Sequence, residues 1–308
     1  MKLSAVNVGM RHVPDRVVLM GTPGVGKSTW AANAPKPIFI PTEEGTHHLD
    51  VASFPKAESF RDILDALEEL RTGTHDYETA VVDTLDTMEP LLWKATCTRN
   101  GWSWIEDPDF QKGFEAALAE WRLFLAALER LQAERGMGVI LVSHVQIRTF
   151  RNPSGPDYDR YEPKIHKKAA ALLSEWSYAV LFAMTTEFIE KTKGSQRAKG
   201  VTDGRRIVKT TRTPAYEAKN RWSLPPEMAL DYEEYAGHRD AARTANAGRL
   251  RGDCATLLAE WNAPAEKKAA AEKHIKECGD DARKLARAVE MLKTRVAETA
   301  TDEGSPKS

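Results

Sequence analysis

The sequence predicts an α/β fold, a mainly parallel sheet flanked by helices, with a small helical C-terminal region after it. Three observations predict it. From Val17 to about Arg212 short apolar runs alternate with amphipathic stretches, the alternation that builds a sheet covered on both faces. A glycine-rich octapeptide, Gly21 to Ser28, joins the first apolar run to the first amphipathic stretch. After Leu224-Pro225-Pro226 and the acidic segment Asp231 to Tyr235, the composition turns to Ala, Lys, Glu and Arg, all good helix formers.

In chain order, strands are expected at Val17–Met20, Pro37–Ile40, Thr79–Val82, Val139–Val142 and Tyr178–Ala183. Helices are expected near Lys27–Ala34, Ser59–Arg71, Asp86–Cys97, Phe110–Glu134 and Lys164–Trp176. A β-hairpin follows, with arms near Glu187–Thr192 and Arg205–Thr211 around the turn-rich Lys193–Gly204. In the last helix Leu285, Val289, Leu292 and Val296 recur at helical spacing after a break at Gly279-Asp280, and Thr299–Ser308 reads as a disordered tail. These readings place the core domain over residues 1–233 and the helical C-terminal region over residues 234–308.

At roughly 150 residues per domain, a chain of 308 residues has room for these two units. No apolar run approaches the roughly 20 residues of a membrane span, and Met1 to Asn7 lacks the apolar core of a secretory signal. A cytoplasmic protein with no membrane partner is expected. Lys and Arg number 44 against 45 Asp and Glu, so any nucleic-acid site must rest on a local basic patch and not on global charge. Cys97, Cys254 and Cys278 are far apart and lack zinc spacing, and read as reduced structural thiols.

The octapeptide Gly21-Thr22-Pro23-Gly24-Val25-Gly26-Lys27-Ser28 fits the G-x-x-x-x-G-K-S pattern of a phosphate-binding loop. Its glycines let successive backbone N–H groups turn toward phosphate oxygens at the positive end of the next helix. The expected ligand is ATP with Mg2+. Gly21 to Thr29 would hold the nucleotide, with Lys27 on the β and γ phosphates and Ser28 on the metal. A strand-end carboxylate should also hold the metal, and Ala80-Val81-Val82-Asp83 supplies Asp83, with Asp86 as the substitute. Hydrolysis further needs a group that orients or deprotonates water. The AAA+ pattern would put a Glu directly after Asp83, where Thr84 stands, and Asp83 to Asp86 lacks the GTPase D-x-x-G. The strand Ile38-Phe39-Ile40 instead runs into Pro41-Thr42-Glu43-Glu44-Gly45, which makes Glu43 the catalytic candidate and Glu44 its alternative.

With these segments the chain resembles the RecA-like P-loop ATPases, and more closely the phage-encoded RecA-like proteins of single-strand annealing and recombination. Val139 to His144, Tyr161 to Lys168 and Pro214 to Arg221 extend the resemblance, which spans about Val17 to Tyr232. It implies a RecA-like P-loop NTPase core and an ATPase activity, and it gives His144 the place of a γ-phosphate sensor that is usually Gln. It also implies single-stranded DNA as partner, a homo-oligomer in the form of a filament or ring, and a single-stranded DNA-binding protein as a further partner in phage or bacterial host cytoplasm. Cations supplied across a subunit boundary are implied too, with Lys209 and Arg212 as the trans-acting candidates.

After His144, the stretch Ile147 to Lys168 reads as a long loop with six cations, Arg148, Arg151, Arg160, Lys164, Lys167 and Lys168, against three acids. Phe150, Tyr158 and Tyr161 interleave with them as stacking faces for bases. A second DNA candidate is Thr98 to Trp104, with Arg99 as its cation. The function expected is an ATP-dependent single-stranded DNA-binding protein. The alternatives are a nucleotide kinase with Ile147 to Lys168 as lid, and a switch or helicase loader that contacts protein.

Overall fold

The apolar runs become the buried middle of one sheet. The computed structural model describes residues 13–109, 112–191, 198–279 and 282–302. In chain order the elements are β1 (Arg16–Gly21), α1 (Lys27–Ala32), β2 (Pro37–Pro41), β3 (Ala52–Ser53), α2 (Phe60–Thr72), β4 (Thr79–Asp83), α3 (Leu85–Asn100), α4 (Lys112–Arg135), β5 (Gly138–Phe150), β6 (Tyr158–Pro163), α5 (Lys167–Trp176), β7 (Ala179–Lys191), β8 (Ala198–Lys209), β9 (Lys219–Asn220) and β10 (Glu227–Ala229). Three helices follow, α6 (Tyr232–Glu260), α7 (Ala265–Glu277) and α8 (Ala282–Asp302).

The strand order is β10-β8-β7-β1-β5-β4-β2-β3, and β7, β1, β5, β4, β2 and β3 run parallel. Every residue of β4 is buried, as expected of a central strand packed on both faces. One sheet face and its helices enclose Met20, Ile40, Val82 and Leu141 together with Trp121, Phe124, Leu128 and Leu131 of α4. Helix α2 starts at a capping box, in which Ser59 Oγ accepts from Asp62 N–H at 3.2 Å and Asp62 accepts from Ser59 N–H at 2.9 Å. All parallel strands present their carboxyl ends at one edge, where open α/β sheets bind ligands.

Two expectations about irregular segments are corrected. Ile147 to Lys168 is not a loop: β5 runs on to Phe150 and pairs antiparallel with β6 in the register Val145↔Pro163 to Phe150↔Tyr158. The β-branched and aromatic residues Ile147, Thr149, Tyr158 and Tyr161 suit a ladder, and Thr149 Oγ1 donates to Asp159 across it at 2.7 Å. The later hairpin is longer than expected, because residues 198–204 belong to β8 and pair with β7, for example Phe188↔Val201. Residues 192–197 of the expected turn lie outside the described residues.

The described residues divide into two compact units, 14–236 and a helical one formed by residues from 237 onward. In the second, Leu250, Cys254, Leu258, Trp261, Ala271, Cys278, Leu285, Val289 and Leu292 form a core of their own. Residues 299–302, expected in a disordered tail, continue α8, while 303–308 lie outside the described residues. All three cysteines are buried and, among the described residues, form no disulfide. Among the described residues no helix is long and apolar enough to cross a membrane.

Candidate functional site

The carboxyl ends of β1, β2, β4 and β5 bring the sequence candidates to one cavity of about 390 Å³, lined by Gly24, Gly26, Lys27, Ser28, Glu43, Asp83, His144 and Arg206 among others. Strand register does the bringing: Gly21 sits opposite His144, and Pro41 opposite Asp83. Gly21 also approaches β7 so closely that a Cβ there would stand 2.4 Å from the Ala183 carbonyl oxygen. Gly26 holds φ at 106°, in the left-handed region where glycine is favoured, and it precedes α1 directly. Helix α1 is anchored on its buried side by Trp30, which meets Tyr232 and Tyr235 edge-on at 4.9 and 5.3 Å.

Lys27 is buried and its Nζ donates to the carbonyls of Gly21 and Thr22 at 3.2 and 3.0 Å. Burial lowers its pKa, opposed by the charges of Asp83, Asp86 and Glu43. Ser28 Oγ donates to Asp83 Oδ2 at 2.6 Å. Asp83 is only 4% exposed, and its other oxygen, Oδ1, is buried without a hydrogen-bond partner among the described residues. Burial raises the Asp83 pKa against the pull of Ser28, Lys27 and His144. A hydroxyl beside a carboxylate with an unsatisfied buried oxygen is a hard-oxygen donor set of the kind Mg2+ takes, so these residues fit the metal.

The two acids after β2 separate. Glu43 lines the cavity, and burial first, then Asp83 and Asp86, raise its pKa. Glu44 is exposed, bonded to His47 at 2.6 Å and paired with Lys56 at 3.4 Å. Asp86, the substitute for Asp83, is engaged with His144. Its Oδ1 accepts from the His144 backbone N–H at 2.9 Å, and its Oδ2 lies 3.0 Å from His144 Nδ1. Burial works against its charge, yet the His144 and Thr84 bonds outweigh it and hold the pKa down at about 2. Asp86 therefore fixes the His144 ring at the cavity wall.

The DNA candidates do not form one free cationic face. Arg160 is buried, 2.7 Å from Glu217 and over the Phe150 ring at 5.5 Å. Arg148 donates to the Ile165 carbonyl at 3.1 Å, Lys168 pairs with Glu115, and Arg99 pairs with the buried Glu120 at 2.5 Å. Arg151, Lys164 and Lys167 are exposed and make no ion pair among the described residues. Phe150 stacks on Tyr158 at 5.1 Å, Ile147 is exposed, and of the two tryptophans Trp102 packs against the core while Trp104 is 74% exposed. Lys209 and Arg212 pair with Glu227 and Glu217, away from the cavity. Arg206 was missed. Nothing in its local sequence separates it from Arg205, Lys209 or Arg212; the β7–β8 register does.

The profile described as AAA domain matches residues 14–222, about two thirds of the chain and the whole of the cavity just described. The chain belongs to the AAA domain family. It is a P-loop ATPase. No curated protein sequence matches it. Among solved structures it is similar to the crystal structure of the RadB recombinase at 14% identity and a TM-score of 0.37, covering 64% of this chain and 80% of that one. A likeness this loose bears on neither mechanism nor partners.

Proposed function

We propose that this AAA domain ATPase binds single-stranded DNA through the β5–β6 hairpin, and that its nucleotide state controls DNA-bound oligomers in phage-type recombination or annealing. One observation carries the reading: β5 is a single strand that runs from His144 in the nucleotide cavity to Phe150 in the hairpin. A shift of His144 on nucleotide binding or loss is thereby transmitted along a hydrogen-bonded ladder instead of a slack loop. Arg151, Lys164 and Lys167 supply phosphate contacts, and Phe150 and Tyr158 supply stacking faces.

In hydrolysis, the loop N–H groups and Lys27 hold the phosphates, and Ser28 with Asp83 hold Mg2+. The metal, when bound, draws charge from the phosphate oxygens. Glu43 accepts the proton of the attacking water, a role suited to a carboxylate whose basicity burial has raised. The doubly protonated His144 ring, with Nδ1–H given to Asp86, donates its Nε2–H at the phosphate end of the cavity. Such a protein would work in the cytoplasm of a phage host.

The exposed Ile147 favours a second reading, a switch in which the hairpin docks on protein. Measuring ATP turnover with and without single-stranded DNA, and DNA affinity against salt, separates them. DNA should stimulate turnover, and affinity should fall with a log-log slope of about −0.7 per phosphate contacted. Replacing Arg151, Lys164 and Lys167 together by Ala should weaken DNA binding and leave ATP binding intact. No DNA affinity in the wild type would leave the protein-docking reading, and phosphate transfer to a nucleoside monophosphate would indicate a kinase.

A further inference from the structure

A second cation reaches the phosphate loop from within the same chain. Arg206 is held on β8 between two neighbours: it pairs with Thr185 of β7, and its carbonyl accepts from Leu230 N–H at 3.0 Å, just beyond β10. β7 in turn pairs with β1, Ala183 opposite Gly21. This chain of registers delivers the Arg206 side chain to the loop, where Nη1 stands 3.1 Å from the position a Cβ would take on Gly26. The side chain lines the same cavity as Lys27, Ser28, Glu43, Asp83 and His144.

Its neighbours on the strand are already engaged. Arg205 pairs with Asp203 at 2.5 Å, and Lys209 pairs with Glu227. Among the described residues the Arg206 guanidinium has no ion pair or hydrogen bond, although it is the one that overhangs the loop. Apart from Arg206, the carboxylates in and around the cavity outnumber its one lysine. Glu43, Asp83 and Asp86 repel one another there and are set against Lys27. A triphosphate adds further negative charge, and its transfer spreads charge over the γ-phosphate oxygens.

We propose that Arg206 acts in cis as the cation that neutralises the phosphate chain of ATP during hydrolysis, the part for which the family resemblance offered Lys209 and Arg212 of a neighbouring subunit. In the step itself the water oxygen bonds to the γ-phosphorus, the bond to the β,γ-bridging oxygen breaks, ADP keeps its electron pair, and Glu43 takes the water proton. Arg206 forms no covalent bond. Its five N–H donors meet charge that grows as the bridging bond breaks. The proposal rests on the ATPase chemistry and is independent of what the hairpin binds.

The test uses the full chain with Arg206→Ala and Arg206→Lys. Steady-state hydrolysis should show kcat lowered about 10³-fold in Arg206→Ala, the lower end of what such arginines contribute, with partial recovery in Arg206→Lys. Binding of ATP with Mg2+, read by calorimetry, should weaken by no more than about tenfold, the pattern of an interaction made mainly in the transition state. Circular dichroism should show both variants folded, since Arg206 is exposed. The decisive arm mixes Arg206→Ala with Lys27→Ala subunits. A cis arginine gains nothing from the mixture, whereas recovery of turnover there shows that a neighbour donates Arg206 and overturns the proposal. An unchanged kcat in Arg206→Ala, or a loss confined to ATP affinity, also overturns it.

Discussion

Replacing Glu89 by Gln asks whether a buried carboxyl on α3, one turn beyond the Asp86 that holds His144, titrates near neutrality. Glu89 is 4% exposed, and both its oxygens accept from the His166 N–H, at 3.0 and 2.9 Å. Burial pushes its pKa from 4.5 up to about 7, opposed by the His166 and Trp121 bonds and the Arg148 charge, and assisted by Asp86. The native chain therefore binds more protons than the unfolded chain between these two values. Stability from this group is full below pH 4.5 and is lost as pH rises through 7. At 1.36 kcal/mol per pH unit, the wild type should lose about 2 to 3 kcal/mol between pH 5 and pH 8 through Glu89 alone. Other titrating groups are common to wild type and variant and cancel in the difference. The assay is urea unfolding of the full chain at pH 5, 6, 7 and 8, followed by tryptophan fluorescence, which Trp121 beside Glu89 reports. In Glu89→Gln the decline should be smaller by the stated amount. Parallel pH slopes for the two proteins would refute the argument and mean that Glu89 stays charged in the fold.

Five further outcomes are expected. Lys27→Ala should abolish tight binding of ATP with Mg2+ in calorimetry, while Glu43→Gln should bind ATP and lose about 10² to 10⁴-fold in kcat; normal turnover in Glu43→Gln would move the base to Glu44 or end the assignment. Because burial raises Glu43, the acid limb of the wild-type turnover profile should fall above pH 4.5, with activity growing as pH rises, and a limb at 4.5 would contradict this. Asp86→Ala should release the His144 ring and lower kcat with little change in ATP affinity, so an affinity loss without a kcat loss would rule out a positioning role. Leu285→Ala, at a fully buried site in the helical unit, should cost about 2 to 5 kcal/mol in chemical unfolding, and a cost below 1 kcal/mol would mean that α8 does not pack there as described.

Some of this protein is written locally in its residues. A strand, a glycine turn with Lys27 and Ser28, and a helix follow one another within about twenty residues, and each part is set by near neighbours. The polar residues Glu43, Asp83 and His144 each close an apolar run, and parallel strands put all such ends at one edge. That is why the nucleotide cavity is legible in the sequence. The β5–β6 hairpin was not, because Pro153, Gly155 and Pro156 mark a turn but do not say that the residues on either side will pair. Nor was the engagement of Arg160 with Glu217, or of Asp86 with His144, since each joins residues 57 or 58 positions apart in the chain.

The sequence by itself determined the strand-loop-helix unit, the acids at the strand tips and the helical character of the last 70 or so residues, because hydrophobic period and glycine placement act over a few residues. Only the tertiary structure decided which cation overhangs the loop, which acid holds His144 and which arginines are already spent. Those choices follow from the pairing of β1 with β5 and β7 and of β7 with β8. A shift of one residue in any of these registers turns each side chain to the opposite face, and nothing in the local pattern around Arg205, Arg206 or Lys209 specifies it.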